Sequence, residues 1–336
     1  MRRINLFLFS PCLFLFLNTA EARDVANASV LSHYIQAGIY ERLNESDKAV
    51  SEYKAALKAD YSSPHIHLRL AIALIKQNQL EQAADELKLA INYYETATDL
   101  SEQESSLIET HTLLALVYSL QGKIDEATAE YEAALRGALD IDPQNIEIHR
   151  SLAQVYLRDG RFPEAEKTYQ FILSLAPSDA KAHFFLGTIY EEQAKRNKAI
   201  EEFNAALKIN PEYPDALNSL GYLYAEESIR LKEAEEMIKK ALSYEPDNGA
   251  YIDSLGWVFF KQGRYQEAIE KLEQAIQFLS DPVIYEHLGD AYLKQNNALK
   301  AKENWQKSLG ISSSDTLQIQ EKLKTLGDVP CVDNSR

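Results

Sequence analysis

A small residue returns along this chain at a nearly constant interval. Ala165, Ala199, Ala234, Ala268 and Ala301 are separated by 34, 35, 34 and 33 residues. The same ruler finds Leu152-Ala153, Leu186-Gly187, Leu220-Gly221, Leu255-Gly256 and Leu288-Gly289, each followed three residues later by an aromatic, Tyr156, Tyr190, Tyr224, Phe259 or Tyr292. A period of this length marks supersecondary units that cannot bury a face alone, so neighbours stack and the core grows by addition. A length of 336 residues, which in an ordinary chain suggests two globular domains, here counts repeats instead. Gly and Pro are sparse, at 12 and 10, and no segment alternates as a β-strand does, so the units are helical.

Each recurring residue type has a packing reason. Gly or Ala in the first helix and Ala in the second let two backbones cross closely, and aromatics fill the hollows beside them. Pro143, Pro177, Pro211, Pro246 and Pro282 punctuate the unit ends, where proline removes a donor and stops a second helix. With a second aromatic such as Tyr169, Phe203 or Trp305, this pattern resembles the tetratricopeptide-repeat (TPR) family. The resemblance implies an all-α fold, a right-handed superhelical solenoid of about eight helix-turn-helix repeats.

The expected units are 30–63, 64–107, 108–145, 146–179, 180–213, 214–248, 249–281 and 282–315. Two are irregular. The interval from Ala83 to Ala127 is 44 residues, with the excess in Tyr93 to Ser106, read as a lengthened second helix and a polar loop, Thr96 to Ser101, whose Ser and Thr cap the next helix. Four further residues fall around Arg136-Gly137-Ala138-Leu139 and are expected as a loop, either decoration or a partner contact. Residues 316–326 form a capping helix whose Leu317, Ile319, Leu323 and Leu326 cover the last repeat while Gln318, Gln320, Glu321, Lys322 and Lys324 face water. The tail 327–336 is expected to be disordered.

Residues 1–22 read as a secretory signal peptide, with Arg2 and Arg3, an apolar run from Ile4 to Leu17, and Ala20-Glu21-Ala22 as the cleavage site, followed by a linker, 23–29. Cys12 lies inside the apolar run and not at its end, which argues against lipid anchoring. After cleavage no second apolar segment of membrane length remains, and Cys331 is a single cysteine without a disulfide partner. A net charge of -16 repels phosphate backbones and excludes nucleic acid as the expected partner.

In the TPR family the first helices line the groove. Carried over by that resemblance, helix position 5 is Tyr34, Leu68, Thr112, Arg150, Phe184, Asn218, Asp253 and Glu286, and position 9 is Gly38, Ile72, Leu116, Gln154, Thr188, Tyr222, Trp257 and Asp290; Phe260 follows at position 12. The candidate partner-binding cluster is therefore Phe184, Asn218, Tyr222, Asp253, Trp257 and Phe260. Two readings stay open: aromatic anchors beside an amide and a carboxylate that grip a bound backbone, or rings that pack between helices. The Lys and Asn of the family's carboxylate clamp are not matched; Arg150, Gln154 and Lys181 are a faint echo.

No phosphate loop, Gly-x-Ser-x-Gly, His-Glu-x-x-His or paired-cysteine spacing is present, so no catalytic residue, cofactor or metal is assigned. His33, His67, His149 and His183 share repeat position 4 and read as architecture; His65 and His67 read as a structural pair before a metal pair. Glu191-Glu192, Glu201-Glu202 and Glu235-Glu236 read as solvated faces. The expected function is a non-enzymatic scaffold or adaptor of a Gram-negative envelope, exported to the periplasm and holding a partner protein or peptide, such as an envelope protease or assembly complex. Asn218-Ser219-Leu220-Gly221-Tyr222 and Asp253-Ser254-Leu255-Gly256-Trp257 resemble repeats of exported envelope TPR proteins. The alternatives weighed are a self-assembling structural module and an enzyme with an unrecognised site.

Overall fold

The structure, a computed structural model, describes residues 28–96, 103–311 and 317–326. Among these there are seventeen α-helices and no strand, divided into two compact units, 1–159 and 160–336. The expected signal segment, Cys12, Cys331, the tail 327–336 and residues 97–101 of the polar loop lie outside the described residues.

The first unit holds α1 (Ala28–Arg42), α2 (Ser46–Ala59), α3 (Pro64–Lys76), α4 (Leu80–Thr96), α5 (Glu104–Leu120), α6 (Ile124–Ile141) and α7 (Ile146–Arg158). The second holds α8 (Phe162–Leu175), α9 (Ala180–Glu192), α10 (Arg196–Ile209), α11 (Pro214–Glu226), α12 (Leu231–Tyr244), α13 (Gly249–Lys261), α14 (Tyr265–Phe278), α15 (Pro282–Lys294), α16 (Ala298–Ile311) and α17 (Leu317–Leu326). Within each unit, helices pair with their sequence neighbours, and first helices also meet across repeats, as α11 does α13.

Repetition in the sequence becomes repetition in the core. Ala165, Ala199, Ala234, Ala268 and Ala301 are fully buried, as are Tyr169 and Phe203, and Trp305 is nearly so. The small residue of the first helix is set by the large one of the second: a Cβ on Gly289 would lie 2.4 Å from the Trp305 ring, and one on Gly187 2.7 Å from Phe203. The turn from first to second helix is equally uniform. The second residue past each first helix, Asn44, Asn78, Gly122, Gly160, Ala194, Ser228, Gly263 or Asn296, has a left-handed backbone. Within the two units the amide after it reaches back to a carbonyl in the preceding helix, as Lys195 does to Tyr190 at 2.7 Å and Asn297 to Tyr292 at 2.9 Å. This closure satisfies carbonyls that a helix end leaves without partners.

Several expectations are corrected. α1 already begins at Ala28, inside the expected linker. The residue before α5 is Gln103, which makes no side-chain capping bond, and the extra length there extends α4 and α5 to 17 residues each. Arg136 to Leu139 form no loop but lie within the 18-residue α6, since Ala and Leu propagate a helix that Gly137 alone does not stop. Pro282 opens α15 at its first turn, where a missing amide hydrogen costs nothing. In α17, Ile319 is buried but Leu317 is 65% exposed, while Lys322 turns inward and donates to Glu286 at 2.7 Å and to both carboxylate oxygens of Asp290 at 2.8 and 2.9 Å. The ion pairs outweigh hydration of that ammonium.

Candidate functional site

In the second unit the first helices α9, α11, α13 and α15 carry the candidate residues. Asn218 and Tyr222 lie one turn apart on α11, as Asp253 and Trp257 do on α13, because residues four apart share a helix face. Asn218, Tyr222 and Asp253 line a cleft of about 270 Å³ together with Glu191 from the end of α9, Ser219, and the start of α15. Phe184 is not part of it. Its ring packs 5.1 Å from Tyr213, 5.3 Å from Phe185 and 5.9 Å from Phe203, an arrangement of tilted and edge contacts that fills a gap between helices.

Trp257 and Phe260 do not line the cleft either; they pack on one another and on His287. Their rings stack with centroids 4.6 Å apart, and Trp257 also stacks 4.0 Å from His287 of α15. The indole N–H of Trp257 donates to Glu226, the Lys261 ammonium stands 4.9 Å from its ring, and only 8% of the residue is exposed. The imidazole of His287 donates from Nδ1 to Asp253 at 2.9 Å and lies 6.3 Å from the Tyr222 ring, so one histidine ties α15 to both α13 and α11. Asp253, at 6% exposure, is thus supplied with one donor from inside the protein.

Two acceptors in the cleft have none. Asn218 Oδ1 is buried without a hydrogen-bond partner. The Glu191 carboxylate makes no hydrogen bond or ion pair among the described residues; its pKa is pushed up to about 7, first by burial and then by Glu192 and Glu226, with Arg196 opposing. Burial also pushes the Tyr222 phenol upward, reinforced by Glu226, Asp253, Glu191 and Glu286. All four of these neighbours of Tyr222 are carboxylates. The cleft therefore carries a surplus of acceptors and negative charge.

Three contributors escaped sequence reasoning. His287 stands two positions beyond the histidine column at position 4, so repetition did not flag it; its spacing of 34 residues from Asp253 did carry the signal. Glu191 was expected to face water, yet it lines the cleft. The same correction holds for Glu202, which meets His183 at 2.6 Å, and for Glu235, which accepts from Lys239 at 2.6 Å and Arg264 at 2.8 Å. Lys322, also expected in solvent, occupies Glu286 and Asp290, the groove positions of the last repeat.

The histidines of position 4 are architectural. His33, His67, His111 and His183 each meet a glutamate 19 residues later, at 2.6 to 2.7 Å, pinning the first helix of a pair to the second. His65 accepts or donates at 2.7 Å to the Tyr94 hydroxyl. Among the described residues no group of three or more His, Cys, Asp or Glu side chains is placed to hold a metal, and no helix is long and apolar enough to cross a membrane.

Comparison with known proteins accounts for most of the chain. Family models described as tetratricopeptide repeat match residues 36–101, 106–178, 150–214 and 214–248, and one described as TPR repeat matches 256–296. The TPR repeat-containing protein PA4667 of Pseudomonas aeruginosa is 40% identical over 57 residues, 17% of this chain and 10% of that protein. The type IV pilus assembly protein PilF of the same organism is 32% identical over 82 residues, 24% of this chain and 32% of its own. The chain thus spans a third or less of either relative. A crystal structure of a tetratricopeptide repeat protein from Parabacteroides merdae superposes with a TM-score of 0.58 over 78% of this chain and 98% of that one, at 20% identity, a likeness of fold. Five repeat matches in register with the paired helices leave one conclusion: the chain belongs to the tetratricopeptide-repeat family, whose repeats serve as protein-interaction scaffolds.

Proposed function

We propose that this protein is a non-enzymatic scaffold that holds a segment of a partner protein in the cleft of α11, α13 and α15. The observation that carries the reading is the pair of acceptors without a donor among the described residues, Asn218 Oδ1 and the Glu191 carboxylate, beside the Tyr222 ring that lines the same cleft. A buried polar atom without a partner costs free energy, and a bound segment with donors recovers it. Tyr222 offers the ring and hydroxyl, Asn218 and Asp253 grip the segment, Trp257 and Phe260 brace α13 against α15 through His287, and Phe184 holds the neighbouring helices in place. No cofactor enters this role.

The place of action we propose is the periplasmic side of a Gram-negative envelope, with the first 22 residues as an export signal. The likeness to a pilus assembly protein supports a role in assembling an envelope complex. The test is affinity capture from envelope extract with the full chain beside an Asn218→Ala, Tyr222→Ala variant of equal helicity by circular dichroism. A partner retained by the native chain and lost by the variant is the expected result; identical capture by both removes the cleft from the function. Fractionation with an antibody tests the location, and recovery in the cytosol overturns it.

A further inference from the structure

We propose that the cleft of α9, α11, α13 and α15 is an arginine-reading site: it takes a guanidinium presented by an extended basic segment of the partner. This rests on the cleft being the partner site and adds the chemistry of what it holds.

The lining decides the sign of the ligand. Asn218 Oδ1 and, once ionised, Glu191 can only accept, and neither has a donor among the described residues, so an incoming group must bring several N–H bonds. The cations nearby are already committed. Arg196 pairs with Glu227 at 2.6 Å, and Lys261 reaches the Glu226 carbonyl at 3.3 Å and its carboxylate at 3.9 Å. An anionic ligand would add to charges that already crowd Tyr222, and a neutral apolar one would seal two acceptors away from water.

The protein contains its own example of the recognition. One repeat further on, Glu286 and Asp290 stand at the groove positions that Asp253 and Trp257 hold in α13, and Lys322 of α17 places its ammonium on both, 2.7 and 2.8 Å away. The last repeat therefore satisfies groove carboxylates with a cation from the same chain. The cleft before it has carboxylates and an amide oxygen but no such cation.

Size and shape favour arginine over lysine. A cleft of about 270 Å³ lies below the roughly 300–1,000 Å³ of small-molecule sites and suits one long side chain. A planar guanidinium lies against the Tyr222 ring while its fork reaches two acceptors at once, whereas an ammonium is a point donor.

The test is calorimetric titration of the full chain with an acetylated, amidated peptide carrying arginine in a glycine-serine background, and with its citrulline, lysine and glutamate counterparts. The arginine peptide is expected to bind about tenfold more tightly than the citrulline one, the scale of one charge-assisted hydrogen bond. Glu191→Gln, at unchanged helicity, removes most of that preference. Affinity of the native chain rises from pH 6 to 8 as Glu191, flanked by Glu192, Glu226, Arg196 and Tyr222, gives up its proton, and the Gln variant is flat across that range. Equal binding of citrulline or glutamate peptide, no arginine binding, or an unchanged Glu191→Gln variant overturns the inference. If the Asn218→Ala, Tyr222→Ala variant still loses its captured partner while the peptides show no arginine preference, the cleft remains the partner site and only its arginine chemistry falls. Identical capture by both chains sinks the partner site, and the titration then decides the arginine site alone.

Discussion

His67 in α3 and His287 in α15 are both buried imidazoles set against a carboxylate, but the bonds run in different directions. His67 is fully buried and bonds to Glu86 of its own repeat at 2.6 Å and to the Tyr61 carbonyl, in the turn that leads into that repeat, at 2.7 Å, with Tyr93 stacked 5.6 Å away. His287 bonds to Asp253 of the preceding repeat and stacks on Trp257, both at the groove. The first arrangement recurs with a spacing of 19 residues; among the described residues the second occurs once, with a spacing of 34. A polar contact that returns in four units builds the repeat, and one that departs from the period marks where neighbouring repeats have been specialised together.

Removing His67 should break the more deeply buried side of the comparison. His67→Ala leaves the Tyr61 carbonyl and Glu86 without a donor and opens a cavity beside Tyr93, at a cost of about 3 kcal/mol in urea unfolding, with arginine-peptide affinity unchanged. His287→Ala should cost about 2 kcal/mol by the same measurement, because Asp253 loses its donor, and should also weaken the peptide by about tenfold. A variant that loses stability but keeps full affinity would place His287 with the architectural histidines.

Glu191→Gln sharpens the contrast through pH. The carboxyl holds its proton up to about pH 7 in the folded state against an ordinary value of 4.5, so its ionisation opposes folding as the pH rises through that window. Thermal unfolding should show the native chain losing on the order of 1–2 kcal/mol between about pH 5 and 8 relative to the variant, and no difference below that range. The smallest effect belongs to His33→Ala. Its imidazole is 39% exposed although its bond to Glu52 matches that of His67, and the loss should stay below about 0.5 kcal/mol. An equal loss at both positions would show that burial does not grade the histidine ladder.

Most of the fold was legible because packing constraints repeat. Gly187 against Phe203 and Gly289 against Trp305 are the same steric requirement written twice, and a requirement written in every unit can be read without coordinates. Asn218, Tyr222 and Asp253 could be carried to one surface for the same reason, as helix position alone places them. What repetition could not tell was which ring would be used up by packing. Phe184 and Trp257 occupy the same groove columns as their counterparts, yet the first is taken by Tyr213 and Phe203 and the second by His287 and Phe260. Glu191 and Lys322 escaped because a charged residue in a helix reads as solvated until the neighbouring helix is in place. The insertion at 136–139 misled for the opposite reason, since extra residues in α6 simply extended a helix that favourable neighbours sustained.

The left-handed corners have an evolutionary consequence. Their backbone bonds return to the preceding helix of the same repeat, as at Ala194 and Asn296. A crossover between two such corners therefore deletes or duplicates one complete unit and leaves both joints intact. Recognition length in such a protein changes by whole steps, each adding or removing one pair of groove side chains, while the residues at those positions drift independently to choose what is read.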